Sequence, residues 1–290
     1  MTNHRIPLLP GSRALAGTYA AWLCDVWGVV HNGVAAFAGA VDALSRYRDG
    51  GGHVVLVTNA PRPAPAIKAQ LEALGIPDGA YDAVVTSGDV TREMLTRIGD
   101  TPIAHIGPTR DQPLIDGMTL NFTDPDKAEI ILCTGLSDDT VETPDDYADI
   151  LAPCARRGAT MFCANPDVVV QRGSALVYCA GALAAEYEKF GGKVVYSGKP
   201  HAPIYDLCFT RLAEIAGREV VRSEVLAVGD GMKTDILGAR RAGVASLYVA
   251  DGIHRQDVLG AGDAPDPARL DAMFKHENQP PVAAVFGLSW

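Results

Sequence analysis

Short apolar runs rich in β-branched residues alternate along the chain with stretches whose apolar positions recur at helical spacing. The runs AAWLCD, HVVLVTN, YDAVVTS, TPIAHIG, AEIILCTG, ATMFCAN, KVVYSG, EVLAVGD and ASLYVAD predict strands. Between them, AVDALSRYRDGG and PAPAIKAQLEALGIP predict helices that stop at glycine or Gly-Ile-Pro. The segment TPDDYADILAPCARRG opens on Thr143 and Asp146, spaced as a capping box, and closes on Gly158. In HAPIYDLCFTRLAEIAG, Ile204, Leu207, Cys208, Leu212 and Ile215 form one apolar stripe ending at Gly217. Strands that are apolar on both faces, separated by helices, imply parallel sheets covered on both sides, an α/β fold with a Rossmann-like parallel-sheet core.

Residues capable of chemistry recur where these strands end: Asp25, then Thr58 and Asn59, then Lys199, then Asp230. In open α/β sheets ligands bind beyond the carboxyl ends of the strands, so these ends are expected to converge on one crevice. The region 83–192 has its own strand and helix alternation without such residues at its strand ends. The expected organisation is a core built from 1–82 and 193–290 with an inserted α/β domain, 83–192, because insertions enter domains at surface loops. The closing QPPVAAVFGLSW predicts a last strand or a tail lying on the core.

Composition narrows the function class. Of 290 residues 48% are hydrophobic, and 30 glycines and 19 prolines supply turns, as an ordered globular chain requires. Thirty-five acidic residues against 25 basic ones give a formal charge of -10, unbroken by any Lys/Arg cluster, which argues against nucleic acid and anionic membrane partners. Six cysteines without a CxxC pair, several inside apolar runs, predict reduced thiols in a cytoplasmic protein. Asp25 interrupts the apolar stretch 14–30, and the amino terminus has no basic segment leading into a hydrophobic core and cleavage site, so neither a membrane span nor a signal peptide is expected.

In that acidic field an anionic small substrate needs a local cation. Asp25 and Asp230 end apolar strands, and Asp235 lies five residues beyond Asp230 at the start of a helix. Carboxylate oxygens converging at strand ends suit Mg²⁺, which keeps several positions for water and substrate phosphate. Asp235 fits metal ligation and the first turn of a helix about equally well. Gly28 allows close backbone approach to a ligand, while Thr58 and Asn59 carry a hydroxyl and an amide able to bond phosphoryl oxygens. Lys199, between Gly198 and Pro200, holds an ammonium at a rigid turn.

Taken in order, DVWGVVHNG, TNAPR, GKPHAPIY and GDGMKTDILGARRAG resemble the four motifs of the haloacid dehalogenase-like superfamily of hydrolases. The resemblance is to subclass IIA, with a large α/β C2-type cap between the second and third motifs, which includes nucleotide, 4-nitrophenyl phosphate, pyridoxal-phosphate and phosphoglycolate phosphatases. It spans Leu23 to Gly252, and VVTSGDVTREML and CANPDVVVQRG are similar to cap segments of the subclass. The resemblance implies a Mg²⁺-dependent phosphohydrolase of a small phosphorylated metabolite. Asp25 is then the nucleophile that forms an aspartyl phosphate, Thr58 binds the transferring phosphoryl group, and Lys199 orients the nucleophile. It further implies Mg²⁺ on Asp25, Asp230 and the main-chain carbonyl of Trp27, with Asp235 ligating directly or through water. Asn165 and Asp167 of the cap are implied to face the substrate, and a homo-oligomer is compatible with the sequence.

One position departs from the family pattern. Family phosphatases carry, two residues after the nucleophile, an aspartate that protonates the leaving alcohol and then activates water; this chain has Trp27. General acid–base help is worth about 10² to 10⁴ in rate. Three readings follow, in this order: a phosphohydrolase whose proton work is done by another group or whose leaving group needs none; a metal- and phosphate-binding regulatory protein with little turnover; and a dehalogenase-like hydrolase. An aromatic at this position favours the third, and the acidic pair of GDGMKTD counts against it. The indole itself fits either a hydrophobe that fills the crevice or a surface that stacks on substrate.

Overall fold

A computed structural model describes residues 5–173, 175–260 and 264–290. The strands are β1 (Leu8–Leu9), β2 (Ala21–Asp25), β3 (His53–Thr58), β4 (Ala83–Thr86), β5 (Ile103–Ile106), β6 (Ile130–Cys133), β7 (Thr160–Cys163), β8 (Val169–Arg172), β9 (Ala175–Tyr178), β10 (Lys193–Tyr196), β11 (Val225–Gly229), β12 (Ala245–Val249) and β13 (Ala283–Val285). All nine runs predicted as strands form them, and the closing segment supplies β13. The β8–β9 hairpin and the two-residue β1 were not anticipated; runs of two to four residues are too short for periodicity to register.

A seven-stranded sheet has the order β1-β13-β12-β11-β2-β3-β4, with parallel pairings from β1 through β3. A four-stranded parallel sheet has the order β10-β7-β6-β5, and β8 and β9 pair antiparallel. The parallel-sheet α/β reading therefore holds. β2 and β11, at the centre of the larger sheet, are buried at every residue, which explains their unbroken apolar runs. Two strands sit on the other side of the expected boundaries. β4, placed by pattern at the start of the insertion, is the edge of the larger sheet, and β10, placed at the return to the core, is the edge of the smaller. Short β-branched runs carry no mark of the sheet they join.

The chain packs as two compact units. One comprises the stretch ending at Val57, Gln70–Val84 and Tyr205 to the carboxyl terminus; the other comprises Thr58–Ala69 and Val85–Ile204. In the first, Ile6, Tyr248, Leu270, Phe274 and Ala284 are among the buried residues of one apolar cluster. In the second, Ile131, Leu151, Met161, Leu183 and Tyr187 pack in another. Helix stops follow the sequence signals, with Gly158 (φ 82°) and Gly217 (φ 65°) both in the left-handed region that glycine tolerates. The Thr143–Asp146 capping box forms, closing a 3₁₀ turn ahead of the helix Ala148–Arg157. Among the described residues no helix is long and apolar enough to cross a membrane.

β2 is held from behind by a stacked aromatic pair. Trp22 stacks on Tyr47 of the helix Ala38–Asp49, with ring centroids 3.8 Å apart and planes nearly parallel, and the Tyr47 hydroxyl donates to the Tyr19 carbonyl at 2.7 Å. Replacing Tyr47 with leucine removes the stack and leaves that carbonyl without its donor. Tyr47→Leu is expected to cost roughly 2–4 kcal/mol. The measurement is a urea titration in which the midpoint falls while the slope stays that of the parent.

Candidate active site

The register of the larger sheet brings the carboxylates together. Cys24 of β2 pairs with Val228 of β11, so Asp25 and Asp230 emerge at the carboxyl ends of adjacent parallel strands. Asp235 returns from the π-helical turn Met232–Ile236. One oxygen from each of Asp25, Asp230 and Asp235 lies within 4.8 Å of the others, and the residues are only 6%, 5% and 5% exposed.

Glycines make the space for them. A Cβ at Gly28 would stand 2.4 Å from Asp230 Oδ2, and one at Gly252 only 1.9 Å from it. At Gly229 it would meet Asp235 Cβ and Cγ at 2.3 Å. Gly28 was expected to admit a ligand; what approaches its backbone, at φ 89°, is the Asp230 carboxylate. The Ile253 N–H donates to Asp230 Oδ2 at 2.7 Å, and the Gly231 N–H to Asp235 Oδ2 at 3.0 Å. Asp235 thus closes its own turn while belonging to the triad, so both expectations for it describe the same carboxylate. Three buried carboxylates this close repel strongly, and an all-oxygen donor set of this kind fits a hard divalent cation.

The Trp27 indole folds back over its own loop. Its Cη2 lies where a Cβ of Gly33 (φ 84°) would come within 2.5 Å, and it meets the His31 ring edge-on with centroids 5.2 Å apart. His31 is buried, and its Nδ1 accepts from the Gly33 N–H at 2.9 Å. The Gly28 N–H to His31 carbonyl bond, at 2.8 Å, closes the loop.

The second unit gathers the remaining motif residues. Asn59 Oδ1 accepts from the Lys199 N–H at 2.7 Å, while its Nδ2 donates to the Lys199 carbonyl at 3.2 Å and to Asp167 Oδ1 at 2.9 Å. The Asn59 amide, expected to meet a phosphoryl oxygen, is thus engaged in holding the Lys199 backbone. A Cβ at Gly198 would strike Asn59 Oδ1 at 2.4 Å, so glycine is required beside the lysine. Thr58 ends β3 one residue after Val57, the register partner of Asp25, and its hydroxyl accepts from the Ala60 N–H at 3.2 Å. Asn165 Oδ1 accepts from the Asp167 N–H at 3.1 Å, a local turn that presents Asp167 to Asn59.

A haloacid dehalogenase-like hydrolase family model matches residues 22–120, and a HAD-hydrolase-like model matches 196–272. A solved structure of a haloacid dehalogenase-like family hydrolase from Brucella suis 1330 is 42% identical, covering 97% of this chain and 100% of that one, with a TM-score of 0.86. The chain belongs to the haloacid dehalogenase-like hydrolases. Curated relatives include the ribonucleotide monophosphatase NagD of Escherichia coli (strain K12), 26% identical over 81% of this chain and 89% of its own length. Another is the 5'-nucleotidase YutF of Bacillus subtilis (strain 168), 23% identical over 83% of this chain and 90% of its own. The protein is thus a phosphatase-like hydrolase of subclass IIA.

This haloacid dehalogenase-like chain also holds a charged cluster that its motifs do not announce. Asp139 is bound by Arg110 at 2.5 Å and doubly by Arg172 at 2.7 and 3.1 Å. Arg62, three residues past Asn59, lies 3.8 Å from Asp111, which is 3% exposed. These residues come from four separated segments, so no local spacing could have joined them; Arg62 and Arg172 lay within quoted segments, and their shared cluster did not show there.

Burial pushes the Asp111 carboxyl up to about 6 from the ordinary 3.8, against the opposing pull of Arg110 and Arg62. A raised pKa means the folded state holds the proton more tightly. The group therefore favours folding fully below about pH 4, and that contribution is lost as pH rises toward 6. The difference corresponds to roughly 3 kcal/mol at most. Asp111→Asn is expected to flatten stability between pH 4 and 6 and to raise it by about 1–3 kcal/mol at pH 7. Urea unfolding at pH 4.5, 5.5 and 7 measures this, and a less stable variant at pH 7 would contradict it.

Proposed function

We propose that the protein is a Mg²⁺-dependent phosphohydrolase of a small phosphorylated metabolite that works through an aspartyl phosphate on Asp25. The observation that carries this reading is the buried Asp25–Asp230–Asp235 triad at the ends of adjacent strands, in a chain of this hydrolase family. The names of the curated relatives, a ribonucleotide monophosphatase and a 5'-nucleotidase, support a phosphate ester as substrate. Six buried free thiols support a reducing, cytoplasmic setting. Region 83–192 is read as the inserted cap of the subclass.

The three carboxylates and the Trp27 carbonyl would hold the ion, which when bound supplies positive charge to the nucleophile and the phosphoryl oxygens. An Asp25 carboxylate oxygen attacks phosphorus as the bond to the leaving oxygen breaks, and water then cleaves the aspartyl phosphate to release inorganic phosphate. Thr58 binds the phosphoryl group, and Lys199, its backbone fixed by Asn59, offsets charge on the nucleophile and phosphate.

Trp27 has no proton-transfer group to offer the leaving oxygen, and its indole lies against Gly33 and His31. The leaving group must then be a weak base, as in aryl or acyl phosphates, or be protonated by water or another residue. Asp25→Asn is expected to lower Mg²⁺-dependent phosphate release from 4-nitrophenyl phosphate by at least about 10³-fold. Trp27→Asp is expected to raise release from alkyl phosphates by about 10². If the parent binds Mg²⁺ and phosphate yet releases phosphate from neither substrate class, the low-turnover binding reading replaces this one.

The glycine cradle offers a test of the metal site. Gly252→Ala drives a methyl into Asp230 Oδ2 and is expected to weaken Mg²⁺ binding by about 10- to 100-fold. Calorimetric titration of Mg²⁺ into parent and variant reads this directly, and equal affinities would remove the cradle from the account.

A further inference from the structure

We infer that the substrate carries a second anionic group, carboxylate or phosphate, which is held by Arg62, Arg110 and Arg172. The inference rests on the phosphohydrolase reading and names the substrate class it acts on.

The three arginines are the main cations of a cluster whose carboxylates face inward. The Asp139 side chain is 4% exposed and the Asp111 side chain is 4% exposed, whereas those of Arg62, Arg110 and Arg172 remain 25%, 46% and 37% exposed. Each guanidinium has five N–H donors. Arg110 gives one hydrogen bond to Asp139 and Arg172 gives two, so both keep donors for a further acceptor while Asp139 fixes their planes. Asp111 lies 3.8 Å from Arg62, an ion pair without a direct hydrogen bond between the two.

The nearby Asp138 stands in solvent, its Oδ1 bonded by the N–H and hydroxyl of Thr140. An exposed charge is screened far more than the buried pairs, so it does not cancel the cluster. Three guanidiniums against the two buried carboxylates Asp111 and Asp139 leave a net positive group in a chain of formal charge -10.

Position ties the cluster to the reaction. Arg62 is three residues from Asn59, a reach of roughly 10 Å at most for extended chain. Asn59 in turn holds the backbone of Lys199 and the carboxylate of Asp167. Thr58, Asn59, Arg62, Arg110, Arg172 and Lys199 all belong to one unit, so the residues proposed to hold the phosphoryl group and the arginines lie in the same body of the fold. The substrate so defined is a phosphate ester whose other end is an acid.

The test compares three aryl phosphates, whose phenolate leaving groups are weak bases, with the Mg²⁺-loaded protein: phenyl phosphate, 4-carboxyphenyl phosphate and 1,4-phenylene bisphosphate. The expected result is a kcat/KM at least about tenfold higher for one or both anion-tailed esters, residing mainly in KM. Which of the two is preferred identifies the anion. Arg110→Gln, which leaves Asp139 its double bond from Arg172, should shrink that preference about tenfold, and Arg110→Lys should restore part of it. Equal rates for all three esters, or a preference that Arg110→Gln leaves intact, overturns the inference. If 4-nitrophenyl phosphate and all three esters resist hydrolysis, the phosphohydrolase reading fails, and malonate binding then decides the subsite. Malonate bound by the parent and lost in Arg110→Gln supports it; equal or absent binding overturns it.

Discussion

Mutual repulsion among Asp25, Asp230 and Asp235 is the constraint around which the larger sheet is arranged. Bringing three carboxylates within 4.8 Å at about 5% exposure works against folding, and the chain meets that cost with rigid packing. β2 and β11 are adjacent, parallel and wholly buried, so the strand ends cannot drift apart. Gly28 and Gly252 let backbone close on Asp230 from two sides, and Gly229 does the same for Asp235. Backbone N–H donors from Gly231 and Ile253 stabilise the charges without supplying a counter-ion. On the proposed reading, a hard divalent cation held by these oxygens would offset part of that repulsion.

Much of this was legible in the sequence because parallel sheets write a strong signal. Runs apolar on both faces mark central strands, and a carboxylate that ends such a run, as at Asp25 and Asp230, has no packing reason to be there. Topology then requires the strand ends to share an edge. The illegible parts have physical reasons as well. β4 and β10 are runs of four residues, and nothing in AVVT or KVVY specifies which sheet accepts them. Asn59 reads as a free amide beside a turn, yet its partners, Lys199 and Asp167, lie 140 and 108 residues away. The arginine cluster is hidden for the same reason, since Asp139 and Arg172 are separated by 33 residues and joined only by tertiary packing.

The second unit shows how one amide can link recognition to chemistry. Asn59 accepts from the Lys199 N–H and donates to its carbonyl, so the ammonium is placed by backbone rather than by side-chain contacts alone. Its other bond goes to Asp167, which a two-residue turn from Asn165 holds in position. Gly198 is pinned between Asn59, Pro166 and Ser87, which removes slack from the lysine turn. Residues expected from sequence to face substrate are thus bonded to one another and to the Lys199 backbone.

Trp27 sits where proton transfer is usual, and its structural setting separates two consequences of losing an acid. The main chain at this position is untouched: the Gly28–His31 bond and the positive φ of Gly28 and Gly33 preserve the loop that carries Asp25. What changes is local polarity, because an indole lying on Gly33 and edge-on to a buried imidazole replaces a carboxylate. An indole in this position has no proton to give at neutral pH. On the phosphohydrolase reading proposed above, Trp27 moves the demand for acidity from protein to substrate, and a leaving group that is already a weak base is the chemistry consistent with it.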